Sequence, residues 1–149
     1  MVILVIGASA LAITLLVVLN ILIGGWSTAR LRTQEEAAAA LREGVFGFEA
    51  ASPVGLDAEG RGALAREAGG DRIGLAVVFG DRVTVRALRP GEVRAVSRDG
   101  ARLTIRLHDY TLPSATLHLA DAQAAQAWQA DLNRLASLAS DAQGDLTHA

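Results

Sequence analysis

The first charged side chain in the sequence is Arg30, and residues 1–29 read MVILVIGASALAITLLVVLNILIGGWSTA. At about 1.5 Å of rise per residue, a helix from Val2 to about Ile23 covers the roughly 30 Å of bilayer hydrocarbon. Gly24, Gly25 and Trp26 then fall at the interface. Residues 1–29 are therefore expected to form a transmembrane anchor. A secretory signal is the competing reading, because Ser27, Thr28 and Ala29 are small. It lacks a basic n-region, and its apolar run is longer than the usual h-region of about 7 to 15 residues. Gly7, Ser9, Thr14 and Asn20 interrupt the aliphatic surface, and Asn20, about one turn from the end, is placed for headgroups or a neighbouring helix. Arg30, Arg32 and Arg42 follow the span, so the arginine bias puts the C-terminal domain in the cytoplasm.

The remaining chain is long enough for one domain with its own core. The protein contains no cysteine, which removes disulfides, thiolate metal sites and cysteine nucleophiles. Its 14 basic residues, all arginine, are balanced by 16 acids and form no dense run, a poor match for a nucleic-acid backbone.

Residues 30–43, RLRTQEEAAAALRE, carry strong helix formers and predict a juxtamembrane helix, with Leu31, Ala38 and Leu41 close to one side. Such a helix could continue the anchor out of the membrane and hold the domain at a set height. Gly44, Gly47 and Pro53 end the pattern, so residues 44–59 read as a linker whose Val45, Phe46 and Phe48 need cover. Phe46 and Phe48 are accordingly candidate contact residues, with Asn20 and Trp26.

From Gly60 the apolar period shortens. Residues 62–66 fit a strand, although ALAREA also fits a short helix, and GGD at 69–71 reads as a turn. IGLAVVF (73–79) is too apolar for a half-exposed strand and is expected to be central. VTVRAL places Val83, Val85 and Ala87 on one face and Thr84, Arg86 and Leu88 on the other. EVRAVS alternates Val93, Ala95 and Ser97 against Glu92, Arg94 and Val96. Asp99-Gly100 is a strong hairpin signal, leading to a strand with Leu103, Ile105 and Leu107 inward. TLHL at 116–119 supplies one more strand. The helical period then returns: Asp121 caps AQAAQAWQADLNRLASL, whose Ala125, Trp128, Leu132, Leu135 and Ala139 form one stripe. Trp128, Leu132 and Leu135 are expected in the core, and residues 140–149 as a flexible tail.

About six antiparallel strands with tight turns and a closing helix that carries a tryptophan resemble the pleckstrin-homology-like superfamily, most of all in LHLADAQAAQAWQADLNRL. The resemblance implies an α+β fold over residues 60–139, a small antiparallel sheet or barrel capped by the C-terminal helix. It also implies either phosphoinositide binding through clustered cations or a protein-docking role. Here Arg72 stands beside Asp71 and Arg82 beside Asp81, so the lipid-binding cations are each matched by an acid. An anchor followed by an arginine-rich β domain also resembles small proteins of the bacterial inner membrane.

Catalysis has little to build on. His108, Asp109 and Tyr110 are adjacent, but neighbouring strand residues point to opposite faces. His118 belongs to the outward set of its strand, and His148 lies in the tail. Asp57 with Glu59, and Glu35 with Glu36, read as surface carboxylates. The glycines fit neither a dinucleotide fingerprint nor a phosphate loop. The sequence thus predicts no enzyme, no cofactor or metal, and no small-molecule or nucleic-acid partner. It predicts a single-pass accessory or assembly subunit that packs against the lipid bilayer and a larger integral membrane complex, bracing that complex on its cytoplasmic side. The alternative is an anchored module that recruits a soluble protein or peptide through a sheet edge.

Overall fold

The computed structural model describes residues 1–23 and 28–146, with side chains through residue 142. Three helices and seven strands follow in order. Helix α1 is Val2–Leu22 and α2 is Gln34–Gly44; the strands are β1 Ala50–Leu56, β2 Gly62–Glu67, β3 Ile73–Phe79, β4 Arg82–Leu88, β5 Val93–Asp99, β6 Arg102–Leu107 and β7 Ser114–His118; α3 is Ala122–Leu146. The strands form two antiparallel sheets, ordered β1-β2-β3-β4 and β5-β6-β7.

The helix expected from Arg30 begins later. Thr33 is extended (φ −124°, ψ 160°), and its Oγ1 accepts the Glu36 N–H at 3.1 Å. Glu36 Oε2 in return accepts the Arg32 N–H at 2.8 Å. This is a reciprocal cap of the Thr-x-x-Glu kind, and it starts a separate helix rather than extending α1. The preceding residues lie along the first sheet instead: the Ala29 N–H donates to the Gly80 carbonyl at 3.0 Å and the Leu31 N–H to the Gly60 carbonyl at 2.8 Å.

Residues 44–59 are not a linker. Ala50 pairs with Glu67, Ala51 with Arg66, Gly55 with Leu64 and Leu56 with Ala63, which makes β1 an edge strand. The register shifts between Ala51 and Gly55, where Pro53 has no N–H to contribute to the ladder. Residues 62–67 resolve as strand, because both faces of β2 are covered and its neighbours on either side supply ladder partners.

The first sheet is a middle layer. Its inner face carries Leu64, Ile73, Leu75 and Leu88, packed with Leu103, Ile105 and Leu117 of the second sheet and with Trp128, Leu132 and Leu135 of α3. Its outer face carries small residues, Ala63, Ala65 and Ala76, beneath Leu31, Ala37, Leu41 and Phe48. Parity explains the split, since alternate residues of a strand face opposite sides. Gly74 is needed in that outer row: a Cβ there would lie 2.7 Å from Phe48 Cζ and 2.8 Å from Leu41 Cδ2.

Two-residue turns join β3 to β4 through Gly80-Asp81 and β5 to β6 through Gly100-Ala101. Gly80 (φ 61°) and Gly100 (φ 60°) supply the positive φ that the first turn position requires. In β5 the expected alternation of Val93, Ala95 and Ser97 breaks. A bulge between Val93 and Ala95 resets the parity, so Val93 is buried, Val96 packs on the same core and Ala95 is exposed. Asp121 Oδ1 accepts the Ala124 N–H at 2.7 Å and caps α3. That helix runs through residues 140–146, which the sequence assigns to a flexible tail.

Gly74→Ala forces a methyl between the first sheet and α2. The expected result is a loss of about 1–3 kcal/mol of domain stability, read from denaturant unfolding of the protein in detergent. An unchanged midpoint would mean that α2 does not pack this closely.

Candidate functional site

The largest uncovered apolar surface in the described chain is α1. It has a mean hydropathy of 2.9, none of its window is buried, and it is long and apolar enough to cross a membrane. Ser9 and Thr14 return their hydroxyls to the Val5 and Ala10 carbonyls at 2.9 Å each, so these polar groups are satisfied within the helix. Asn20 is exposed on it. Trp26, the next contact candidate, lies outside the described residues, as does His148.

The two phenylalanines after α2 part company. Phe46 is fully exposed, whereas Phe48 is 1% exposed and belongs to the layer between α2 and the first sheet. Phe48 is therefore a core residue and not a contact surface; its ring also lies 5.8 Å beneath the Arg72 guanidinium. Arg72 in turn pairs with Glu67, its Nε donating to Oε2 at 2.9 Å, and not with its neighbour Asp71. The bonded Arg72 guanidinium holds the Glu67 carboxyl below its ordinary range.

Trp128, Leu132 and Leu135 are all buried in the inner core. The Trp128 indole lies against β1, where a Cβ on Gly55 would come within 2.9 Å of its Cε2. Arg66 of β2 lies over the ring at 4.4 Å from its centroid and pairs with Asp131, which shares α3 with Trp128.

Asp57 is not the surface carboxylate that its neighbours suggest. It is 4% exposed and accepts three backbone N–H groups: His118 on Oδ1 at 2.6 Å, and Glu59 and Arg61 on Oδ2 at 3.0 and 3.1 Å. The Ala58 N–H donates to the His118 carbonyl at 2.6 Å. One carboxylate thus fastens the β1–β2 hairpin of the first sheet to β7 of the second.

A groove of about 340 Å³ opens where β4 meets the β6–β7 connection, lined by Arg86, Glu92, His108, Asp109 and Tyr110 among others. Its cation is already committed. Arg86 Nε donates to Asp109 at 3.1 Å, Nη1 to the Val85 carbonyl at 3.0 Å and Nη2 to Thr111 Oγ1 at 3.1 Å. Asp109 Oδ1 accepts both the hydroxyl and the N–H of Thr111 at 2.7 Å. Those bonds, first from the Thr111 hydroxyl and N–H and then from Arg86, hold the Asp109 carboxyl well below the usual carboxylate range. Asp109 is thereby turned to Thr111 and Arg86, while His108 and Tyr110 are exposed. Among the described residues, no group of three or more histidines, cysteines and carboxylates is placed to hold a metal ion.

No protein-family model, curated protein or solved structure matches the chain.

Two outcomes test this geometry. Asp57→Ala orphans three N–H groups and is expected to cost about 2–4 kcal/mol, with Asp57→Asn losing less because it keeps one carbonyl acceptor; equal stability of all three proteins would show that the sheets hold without the carboxylate. For Asp109, a folded value below the unfolded value of 3.8 gives stabilisation that is complete above that value. It is lost as pH falls through the folded value. The melting temperature of Asp109→Asn is therefore expected to lie below that of the wild type near pH 6, with the gap narrowing towards about pH 3. A constant gap over that range would contradict the assignment.

Proposed function

We propose that the protein is a single-pass membrane accessory or assembly subunit, without catalytic activity, whose α1 packs in the bilayer against a larger integral membrane complex. The seven-strand domain and its closing helix brace that complex at the membrane surface. The observation that carries this reading is α1 itself: a helix with mean hydropathy 2.9 from which the domain core takes nothing. Both hydrophobic layers of the domain are complete without it. A helix of this kind finds its cover in lipid and in other helices.

The element order of four strands, three strands and a helix supports a pleckstrin-homology-like scaffold. The pairing of Arg72 with Glu67, and of exposed Arg82 with Asp81 at 4.0 Å, supports a docking role in place of a phosphoinositide pocket. Arg30, Arg32 and Arg42 favour a domain on the cytoplasmic side of the membrane. The contact residues assigned to this role are Asn20, within the span, and Phe46, whose ring is free of the core.

The full-length protein is expected to stay in the pellet on alkaline carbonate extraction, and a photo-crosslinker at Asn20 is expected to capture an integral membrane protein in fixed stoichiometry. Release by carbonate overturns the anchor. Capture through a crosslinker at Phe46 of a soluble protein, with none at Asn20, moves the role to a recruiting module.

A further inference from the structure

The two hairpins that the chain meets on leaving α1 point to which end of the domain rests on lipid; this inference rests on the anchored reading above. Ala29 and Leu31 are hydrogen-bonded to Gly80 and Gly60, the turns of the β3–β4 and β1–β2 hairpins. Leu31 is buried against the outer face of the first sheet, so the attachment is packed as well as bonded. Ile23, the cap of α1, precedes Ala29 by few residues. Even fully extended at about 3.6 Å per residue, that stretch spans no more than about 22 Å. Strands of the length of β3 cover a similar distance, about 23 Å. The hairpin end is therefore held within about 22 Å of the end of α1. That reach lets it lie at the bilayer but does not by itself exclude the reverse orientation, so the chemistry of the two ends decides.

The chemistry of the two ends differs. At the tethered end Phe79 is 55% exposed beside the Gly80 turn, and Arg30, Arg61 and Arg82 stand around it, all exposed. An aromatic ring flanked by long cationic stems suits the headgroup layer, where the ring enters the apolar boundary and the guanidinium groups stay hydrated. We propose that this end, with Phe79 at its tip, lies in the headgroup layer of the bilayer and fixes the orientation of the domain. Arg61 is paired with Glu59 at 3.1 Å and Arg82 with Asp81 at 4.0 Å, so the tip carries little net charge. The tether and the aromatic ring set the contact, and neutral lipid suffices for it.

The absence of cysteine makes the test direct. Single cysteines replace Thr28 and Ala58, exposed and uncharged positions at the tethered end, and Phe46 and Tyr110 at the far end, and each carries an environment-sensitive fluorophore. The full-length proteins are reconstituted in phosphatidylcholine vesicles, with and without phosphatidylglycerol, containing headgroup-proximal brominated lipid. The expected result is a blue shift and quenching at 28 and 58, neither at 46 and 110, with the same pattern in both lipid mixtures. Adding Phe79→Asp should abolish the shift at 58 without changing the circular dichroism. Proteins that float with the vesicles but are quenched at 46 or 110, or nowhere, or only with the anionic lipid, overturn the orientation and leave the anchor standing. Proteins that do not float with the vesicles overturn the anchored reading itself, and the orientation falls with it.

Discussion

The fold depends on a thin outer face. Because Ala63, Ala65, Gly74 and Ala76 remove bulk from one side of the first sheet, α2 can lie close enough to bury Ala37 and Leu41 completely. A sheet covered on both faces contributes two hydrophobic layers for the backbone cost of one, which matters in a domain this small. The same close packing places Leu31 and Phe48, at either end of α2, on that face. The helix thereby becomes a strap that fastens the chain emerging from α1 to the domain.

The second constraint is polar. The two sheets meet at the β1–β2 hairpin, where strand ends leave N–H groups without ladder partners. Asp57 collects three of them with one buried carboxylate. A buried charge is tolerable only when its hydrogen bonds are made, and here the partners are backbone groups that cannot rotate away. Among the described residues no buried side-chain nitrogen or oxygen lacks a partner, so this end of the core is closed without an uncompensated polar group.

The sequence was legible where period and punctuation agreed. Strands β3 to β7 and the start of α3 stand where Gly-containing turns and the Asp121 cap place them, although the bulge in β5 reverses its expected faces after Val93 and α3 runs on past the expected end. It was misleading where tertiary partners decide. Pro53 and the glycines around it look like linker chemistry, yet β1 pairs with β2 around the proline by shifting register. Phe46 and Phe48 are indistinguishable by composition. Gly74 and the alanines of the outer face, remote in sequence, make room for the Phe48 ring and not for that of Phe46. The start of α2 was readable in Thr33-Gln34-Glu35-Glu36, a capping signature outweighed by the helix propensity of the arginines and alanines around it. Two of the N–H groups on Asp57, those of Glu59 and Arg61, are local, but its tie to β7 had no local signal, because His118 lies far along the chain.

The late start of α2 changes how an anchor and a domain can be coupled. A continuous helix would transmit the tilt of α1 to the domain through one stiff rod, and its height would follow from helix length alone. The observed arrangement passes the connection through Ala29 and Leu31, which are fixed to two separate hairpins, before the Thr33 cap turns the chain into α2. Two backbone hydrogen bonds to different turns resist rotation about the chain axis, which a single attachment does not. Detaching this segment would also uncover Leu31 and the edge of the Ala-rich face, so release and local unfolding are linked. The attachment of the domain is thus built from the same contacts that stabilise its outer core, and a substitution that loosens α2 should loosen the tether with it.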